Sequence, residues 1–189
     1  MQAEIYNVDY NQFVHLLGTT HFTRRSLFDA YRAVNKLKPT DLAIELDFER
    51  FRTLNVNCAL CSESEACTNK CEFIGAADAL GNVDANIWLI DMSRHQFRQR
   101  THMFTSRALV WRVLINERDT LMAARLAWIA TEALKAEGKP NILALVGAAH
   151  VKGISGLLKK PLEIKENLQG LNLEFTPPTL VRRIQITGD

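Results

Sequence analysis

The fold class is decided by residues 141–150, which read NILALVGAAH. Within them, Ile142–Val146 form an uninterrupted apolar run of strand length, as expected for a strand that is buried on both faces of a sheet. Gly147 ends the run and permits a sharp turn, and His150 follows at the entrance of the next helix. The stretch therefore predicts a buried strand that delivers a histidine to one end of a sheet.

Three similar apolar runs lie upstream, at residues 13–17, 42–46 and 87–90. A helix over Ser26–Leu37, with apolar residues at helical spacing, lies between the first two runs, and Pro39 ends it. The first two runs are about 30 residues apart, as one βαβ unit requires. Strands that alternate with helices predict an α/β fold, with a largely parallel central sheet flanked by helices.

The remaining segments extend this prediction. Helices are expected over Glu72–Leu80, over a long region from about 93 to 137 with a break near Thr105, and over Ile154–Lys160. Two C-terminal strands are expected at Leu171–Phe175 and Leu180–Ile186, separated by Pro177 and Pro178. These last strands would add an antiparallel edge to the sheet.

The composition is that of an ordinary globular protein. Of the 189 residues, 47% are hydrophobic and 23% charged, which suits a single domain over residues 1–189. A formal net charge of +2 predicts no affinity for nucleic acid or an anionic membrane. The N-terminus lacks a secretory-signal pattern, and the apolar runs are too short to span a bilayer. We therefore expect a cytoplasmic protein without a membrane span, and a homo-oligomer is compatible with this composition.

Polar residues follow all four predicted parallel strands, where ligands bind in open α/β sheets. They are Gly18 and His21 after the first strand, Glu45 and Asp47 at the end of the second, Asp91 after the third, and Gly147 and His150 after the fourth. Histidine acts as a metal ligand or as an acid and base near neutral pH. A single Gly-x-x-His turn is more often a helix cap or a core histidine, but two such turns at strand ends favour one shared site.

Glu117 is predicted to be a buried carboxylate, because it lies on the apolar face of a helix, seven residues after Val110 and four before Leu121. A buried carboxylate must be paired, protonated or bound to a cation, and such groups are candidates for a functional site. A structural ion pair with Arg118 or Arg125 is an equally weighted interpretation.

Other charged residues have both a functional and a structural interpretation. Glu45 lies inside a predicted buried strand, where a charge is costly unless it serves a site or a partner. Asp47 and Asp91 could each cap the helix that follows, and Glu72 could simply favour the start of its helix. Most of the arginines near the third predicted strand are expected on a solvated face, and one of them could bind a carboxylate or phosphate of a substrate: Arg94, Arg98, Arg100, Arg107 and Arg112.

All four cysteines, Cys58, Cys61, Cys67 and Cys71, fall in a polar insertion over residues 55–71. Four thiolates within 14 residues could bind one structural zinc ion, which is the preferred interpretation for an intracellular protein. Two local disulfides rank second and an iron–sulfur cluster third. In each case we expect the cysteines to hold the insertion over the site and to take no part in the chemistry.

These residues, in this order and spacing, resemble the TraB family. The resemblance covers about residues 13–160 and is carried by Leu16–His21, Ala43–Asp47 with Arg50, Asn116–Asp119, and Val146–Val151 with Gly153, with Glu72 and Leu89–Asp91 between them. The family belongs to a wider group with PrgY, GumN, the Tiki proteases, erythromycin esterase and the haem-binding ChaN. The resemblance implies an α/β fold in which paired Gly-x-x-His motifs face one cleft, and metal-dependent hydrolysis of peptides as in the Tiki proteases.

The positions that carry over by this motif match are His21, Glu45, Glu117, Arg118 and His150, followed by Glu72 and Asp91. Family members usually have arginine directly after the position of Asp91, whereas Met92 stands there in this chain. The resemblance therefore implies a site that departs from the family pattern at this one position.

The sequence thus predicts a metal-dependent hydrolase, with peptides as the expected substrate. His21 and His150 would bind Mn, Fe, Co or Zn together with Glu45 or Glu117, and the other carboxylate would act as general base. Arg118 would stabilise developing negative charge or hold Glu117. Two alternatives stay open: a binding protein that sequesters a peptide, a signal molecule or a haem-like cofactor without turnover, and a metal-free esterase with His21 or His150 as the base.

Overall fold

Five strands form one sheet in the described part of the chain, which comprises residues 4–21, 23–53, 71–81, 85–102 and 107–181 of a computed structural model. The strands are β1 (Val14–Thr19), β2 (Asp41–Ile44), β3 (Asn86–Leu89), β4 (Ile142–Gly147) and β5 (Thr179–Val181). Across the sheet the order is β1-β4-β2-β3-β5. The predicted α/β fold with a largely parallel sheet is confirmed.

The first four strands are parallel, and β4 lies between β1 and β2. Thr19 of β1 is paired with Gly147 of β4, so the two Gly-x-x-His turns leave the sheet side by side. β5 runs antiparallel to β3, with Leu89 paired to Thr179, and forms an outer edge. The antiparallel C-terminal edge is therefore confirmed as well.

Helices cover both faces of the sheet. They are α1 (Arg24–Leu37), α2 (Glu72–Leu80), α3 (Arg94–His102), α4 (Arg107–Arg112), α5 (Arg118–Lys135), α6 (Ala148–Lys159) and α7 (Pro161–Gly170). A 3₁₀ turn at Tyr10–Gln12 precedes β1, residues 48–53 are helical, and a π-helix at Val113–Glu117 joins α4 to α5. Among the described helices, none combines the length and the apolar composition needed to cross a membrane.

The alternation of side chains along β4 divides the core into two layers. Leu143 and Leu145 belong to the cluster formed with α1 and α2, which includes Val34. Ala144 and Val146 point to the other face, where α5, α6 and α7 supply most of the core. Every residue of β4 is buried, as expected for a central parallel strand covered on both faces.

The helices after β4 differ from the prediction. α6 starts at Ala148, directly after the strand, and not at Ile154. The sequence pattern takes Pro161 as the end of a helix, but Pro161 is the first residue of α7, where proline costs no intrahelical hydrogen bond. Ile164 and Leu168 are the residues of α7 that lie in the core at helical spacing. With so few apolar positions, this helix leaves only a weak periodic signal in the sequence.

The strand predicted at Leu171–Phe175 is wrong. Asn172 has a φ of 50°, a left-handed conformation that a strand does not contain. Leu173 and Phe175 are buried in the core beneath the helices instead of pairing with a neighbouring strand. Of the last predicted strand, residues 179–181 form β5, and the part beyond residue 181 lies outside the described residues.

The long helical region predicted from about 93 to 137 is divided. α3 ends at His102, and the break predicted near Thr105 falls outside the described residues. Between α4 and α5, the π-helix adds a wider turn, a feature that is frequent at functional sites. The wider turn shifts the residues that follow it relative to a regular helix. As a result, Arg118 and Asp119 both reach the carboxyl ends of the strands.

α1 and α2 lie unusually close to each other at Gly75. A Cβ at this position would lie 2.6 Å from the main-chain oxygen of Leu27 and 3.0 Å from Leu27 Cγ. Because the nearer atom belongs to the backbone, it cannot move away by a change of rotamer. The packing of these two helices therefore requires glycine at position 75.

We expect Gly75→Ala to destabilise the protein by about 1–3 kcal/mol, the usual cost of overpacking a well-packed contact. Gly170→Ala is the matched control, since a Cβ there would meet no atom within 4 Å. Urea unfolding of both variants measures the difference. Equal stability of the two variants would show that α1 and α2 can separate without cost.

Candidate active site

The sheet brings both Gly-x-x-His turns to the end of β2. The backbone N–H of Gly147 donates to Glu45 Oε2 at 2.5 Å, which ties the turn after β4 to the end of β2. A Cβ at Gly147 would lie 3.0 Å from His21 Nε2 and 3.4 Å from Glu45 Oε2. Glycine at this position therefore leaves the space in which the two motif histidines and Glu45 meet.

Gly18 has a packing role. A Cβ at Gly18 would lie 2.8 Å from Val151 Cγ2 and 3.2 Å from Ala148 Cα. α6, which carries His150, can lie this close to β1 only because Gly18 has no side chain. The two motif glycines thus serve the site in different ways, since Gly147 makes room for side chains and Gly18 makes room for a helix.

His21 is held by Glu72 at the start of α2. His21 Nδ1 lies 2.5 Å from Glu72 Oε1, and Thr19 Oγ1 donates to the same oxygen at 3.1 Å. The other ring nitrogen, Nε2, lies 4.0 Å from Glu45 Oε2. The hydrogen bond with Glu72 raises the pKa of His21, although partial burial opposes the change. The side chain of His21 is 38% exposed, so solvent reaches this ring.

His150 is held in a similar way by Asp119 from α5. His150 Nδ1 lies 2.5 Å from Asp119 Oδ1, and Nε2 lies 3.1 Å from Arg118 Nη1 and 3.5 Å from Glu45 Oε1. A guanidinium only donates hydrogen bonds, so Nε2 accepts and Nδ1 carries the proton that Asp119 accepts. Burial raises the pKa of Asp119, and the hydrogen bond with His150 opposes the change. His150 is only 5% exposed, so this ring is fixed in one tautomer inside the protein.

Arg118 lies at the centre of the site. Its Nε and Nη2 donate to the two oxygens of Asp91 at 2.9 and 2.7 Å, and Nη2 also donates to Glu45 Oε1. Nη1 donates to the main-chain oxygen of Leu114 at 3.2 Å and to His150. Burial alone would lower the pKa of Arg118, but Asp91 and Glu45 outweigh burial and raise it. All three guanidinium nitrogens are engaged, so Arg118 orients the groups around it.

Asp91 is buried between two guanidiniums. Arg50 Nη2 lies 2.5 Å from Asp91 Oδ2, opposite Arg118, and Arg50 Nε donates to Asp47 Oδ2 at 3.0 Å. Burial acts to raise the pKa of Asp91, but Arg118 and Arg50 outweigh it and hold this pKa below its usual range. Arg125 donates to the main-chain oxygen of Asp91, and burial lowers the pKa of Arg125 to about 10.

The capping interpretation is confirmed for Asp47 and wrong for Asp91. Asp47 Oδ1 accepts the backbone N–H of Arg50 at 2.8 Å, at the start of helical residues 48–53. α3 is capped by Ser93, whose Oγ accepts the backbone N–H of Gln96 at 3.1 Å. The carboxylate of Asp91 is bound by the arginines instead.

Glu117 is fully buried, as predicted, but its partner is neither Arg118 nor Arg125. Arg100 donates from Nε and Nη2 to the two oxygens of Glu117 at 2.7 and 2.9 Å, and Arg112 Nε lies 3.6 Å away. Arg100 does not lie on the solvated face that the sequence predicts for most of these arginines, because its side chain is largely buried in this pair. The structure brings Glu117 to these arginines and not to either motif histidine.

Three residues to which the sequence assigned no role belong to the site: Thr19, Arg50 and Asp119. Thr19 and Asp119 are the immediate neighbours of Gly18 and Arg118, and each contacts a histidine–carboxylate pair. A buried carboxylate one position after another charged residue has no periodic signature of its own. Its only trace in the sequence is a glycine elsewhere, Gly153, which leaves room for Asp119.

The side chains in mutual contact here form what we call the strand-end cluster: His21, Glu45, Asp47, Arg50, Glu72, Asp91, Arg118, Asp119 and His150. Arg125 lies directly behind Asp91. Five carboxylates thus face three guanidiniums in these described residues, and two negative charges remain when both imidazoles are neutral. Excess buried charge is costly, so the cluster favours a cation or protons.

The described residues show no preformed metal site. There, no three His, Cys, Asp or Glu side chains are already placed to coordinate one ion. Cys58, Cys61 and Cys67 lie outside the described residues, and Cys71 is buried directly before α2. Zinc, disulfides or an iron–sulfur cluster at the cysteines therefore stay predictions.

Comparisons with protein-family models, with curated proteins and with solved structures find no match for this chain. The geometry of the strand-end cluster is therefore the observation from which a function follows.

We expect Asp91→Asn to destabilise the protein by about 3–5 kcal/mol near neutral pH, because it leaves the largely buried guanidinium of Arg118 and the partly exposed one of Arg50 without their shared charge. The pKa of Asp91 is depressed in the folded protein. Its stabilisation is therefore present above the unfolded pKa of about 3.9 and is lost as the pH falls through the folded pKa. The difference in unfolding free energy between wild type and variant should narrow below about pH 4.

Denaturant unfolding over a pH series measures this difference. Asp29→Asn is the control, since Asp29 forms exposed ion pairs with Arg25 and Arg32, and such pairs contribute less than about 1 kcal/mol. If the difference in unfolding free energy between wild type and Asp91→Asn stays constant into strong acid, the pKa of Asp91 is not depressed in the folded protein.

Proposed function

We propose that this chain is a TraB-like, metal-dependent hydrolase that cleaves peptide bonds at the strand-end cluster. The supporting observation is the arrangement of the two motif histidines around Glu45. Each ring is held at Nδ1 by a carboxylate, and the Nε2 atoms of His21 and His150 lie 4.0 and 3.5 Å from the oxygens of Glu45. Two imidazoles directed at one carboxylate are a donor set that suits a divalent cation.

The residues present fit such a cation in three respects. A metal-binding histidine usually has its other ring nitrogen bonded to a carboxylate or carbonyl, as His21 and His150 both do. The separations of 3.5 and 4.0 Å are close to the roughly 3.4 Å between two tetrahedral ligands with bonds of about 2.1 Å. The excess of two negative charges equals the charge of the ion.

Under this proposal, His21, His150 and Glu45 would hold the cation, with His150 Nε2 binding it in place of Arg118 Nη1, and the cation would supply Lewis acidity for peptide hydrolysis. Glu72 and Asp119 keep the two rings oriented. Arg118 holds Glu45 against both rings, where Glu45 would be the third ligand of the cation.

A metal-free hydrolase is the second candidate, and the position of Arg118 favours it. The guanidinium already lies against Glu45 and His150, where it supplies positive charge. His21 would then be the general base, because its ring is the more exposed of the two. Glu72 would orient that ring, as a carboxylate orients the histidine of a hydrolytic triad.

Elemental mass spectrometry of the purified protein tests the proposal. We expect a stoichiometric divalent metal that is lost in the double variant His21→Ala/His150→Ala, because the two rings supply most of its ligands. The double variant His15→Ala/His95→Ala is the matched control, since it removes two exposed histidines and should retain the metal. A third variant, with all four cysteines replaced by serine, measures metal bound at the cysteines.

The other outcomes separate the alternatives. Metal lost only with the cysteines, together with peptide hydrolysis that survives a chelator, would replace the proposal by the metal-free hydrolase. Metal bound at the histidines without cleavage of any member of a broad peptide library would instead identify a binding protein, the other function that the sequence left open.

Glu45→Gln and Glu117→Gln separate the two candidate carboxylates. We expect Glu45→Gln to lower kcat/KM for peptide cleavage at least about 100-fold, because a neutral amide binds a divalent cation more weakly than a carboxylate does. We expect Glu117→Gln to cost about 1.5–3 kcal/mol of stability through its weakened pair with Arg100, with little effect on turnover. Mass spectrometry of cleaved peptides and denaturant unfolding give both quantities.

Turnover abolished in a stably folded Glu117→Gln protein would overturn this assignment. Glu117 would then be the catalytic carboxylate that the sequence resemblance implies.

A further inference from the structure

We infer that Asp119 and Gly153 act together as positioning residues for His150, so that the second motif extends to Gly147-x-x-His150-x-x-Gly153. The inference rests on the proposed function only in taking His150 as a residue of the active site. Asp119 touches the ring directly, and Gly153 acts on the ring through Asp119.

α5 and α6 pack together where the side chain of Asp119 passes over Gly153. A Cβ at Gly153 would overlap Asp119 Oδ2 and lie 2.9 Å from Asp119 Cγ, but it would lie 3.5 Å from Asp119 Cβ, an ordinary contact. The carboxylate group of Asp119 thus occupies the space that any side chain at position 153 would fill. Glycine is required there by the carboxylate, because the backbone conformation at Gly153 is ordinary for any residue.

Two consecutive residues of α5 form hydrogen bonds with the two ring nitrogens of His150. Asp119 binds Nδ1 at 2.5 Å, and Arg118 Nη1 lies 3.1 Å from Nε2. Consecutive residues project from a helix about 100° apart. They can reach two edges of one ring only if α5 lies close to α6, and the missing side chain of Gly153 permits that distance.

A second glycine contact between helices lies beside the pair of His21 and Glu72. Glu72, the partner of His21, is followed one turn later by Gly75, where α2 meets the main chain of Leu27 in α1. Each histidine–carboxylate pair is therefore set beside a glycine contact between two helices. In the pair of His21, Gly75 lies on α2, the helix that carries Glu72. In the pair of His150, Gly153 lies on α6, the helix that carries His150 itself.

Proton NMR of the imidazole N–H groups tests the inference on the full-length protein, in chelator-containing buffer that removes paramagnetic ions. A short N–H···O⁻ bond gives an N–H resonance far downfield that exchanges slowly with water. We expect this resonance for His150 in the wild type, identified by its absence in His150→Gln. It should be lost or move upfield in Gly153→Ala and in Asp119→Asn.

Two controls accompany this experiment. Gly156→Ala changes a glycine one turn further along α6, where a Cβ would meet nothing within 4 Å, and it should leave the resonance unchanged. The pair between His21 and Glu72 supplies an internal control, because its resonance should stay unchanged in Gly153→Ala. An unaltered His150 resonance in a folded Gly153→Ala protein would overturn the inference.

A double-mutant cycle keeps the test decisive if Gly153→Ala folds poorly. Asp119→Ala removes the overlapping atoms and leaves only Asp119 Cβ, so Gly153→Ala should cost no further stability in that background. The same loss of unfolding free energy in both backgrounds would show that Gly153 acts elsewhere, and would also overturn the inference.

Neither measurement uses peptide cleavage. A failed hydrolysis assay would therefore count against the proposed function alone, and an unchanged His150 resonance against the positioning role alone.

Discussion

The bidentate ion pair between Arg118 and Asp91 is the interaction on which the rest of the site depends. Arg118 opens α5 and Asp91 follows β3, so the pair fixes a helix to the end of a strand. The same guanidinium then contacts Glu45 after β2 and His150 on α6. Both partners are largely buried, where a charge without its partner is expensive. Four elements of the fold are therefore held in one arrangement by the requirement that these charges stay paired.

The order of strands in the sheet determines which residues lie close to the pair of Arg118 and Asp91. β1 and β4 are neighbours in the sheet although well over a hundred residues separate them in the chain, and β2 lies on the other side of β4. Both Gly-x-x-His turns and Glu45 thus leave the sheet within one small region. Glycines at the crossing points let helices and turns approach closely enough for side chains of ordinary length to meet. The glycines that allow this close packing therefore also determine where the side chains of the site meet.

The two histidines are alike in motif and different in surroundings. His21 is exposed to solvent and held by Glu72 and Thr19, whereas His150 is buried and held between Asp119 and Arg118. The excess of negative charge around them is the property that links geometry to function, because a buried cluster of this composition favours a bound cation.

Local pattern alone determined the α/β class, the parallel core strands, and the placement of His21, Glu45 and His150 at the strand ends, whereas Glu72 and Arg118 were assigned to the site through the family resemblance. Apolar runs and helical periodicity are properties of neighbouring residues, so Ile142–Val146 and the turn ending in His150 could be placed without a structure. The partner of Glu117 and the roles of Asp119 and Arg50 were decided only by tertiary structure. These depend on a π-helix that redirects the side chains after it, on the order of strands across the sheet, and on the distance between helices. No short-range pattern encodes these quantities, because they are set by contacts between segments that lie far apart in the chain.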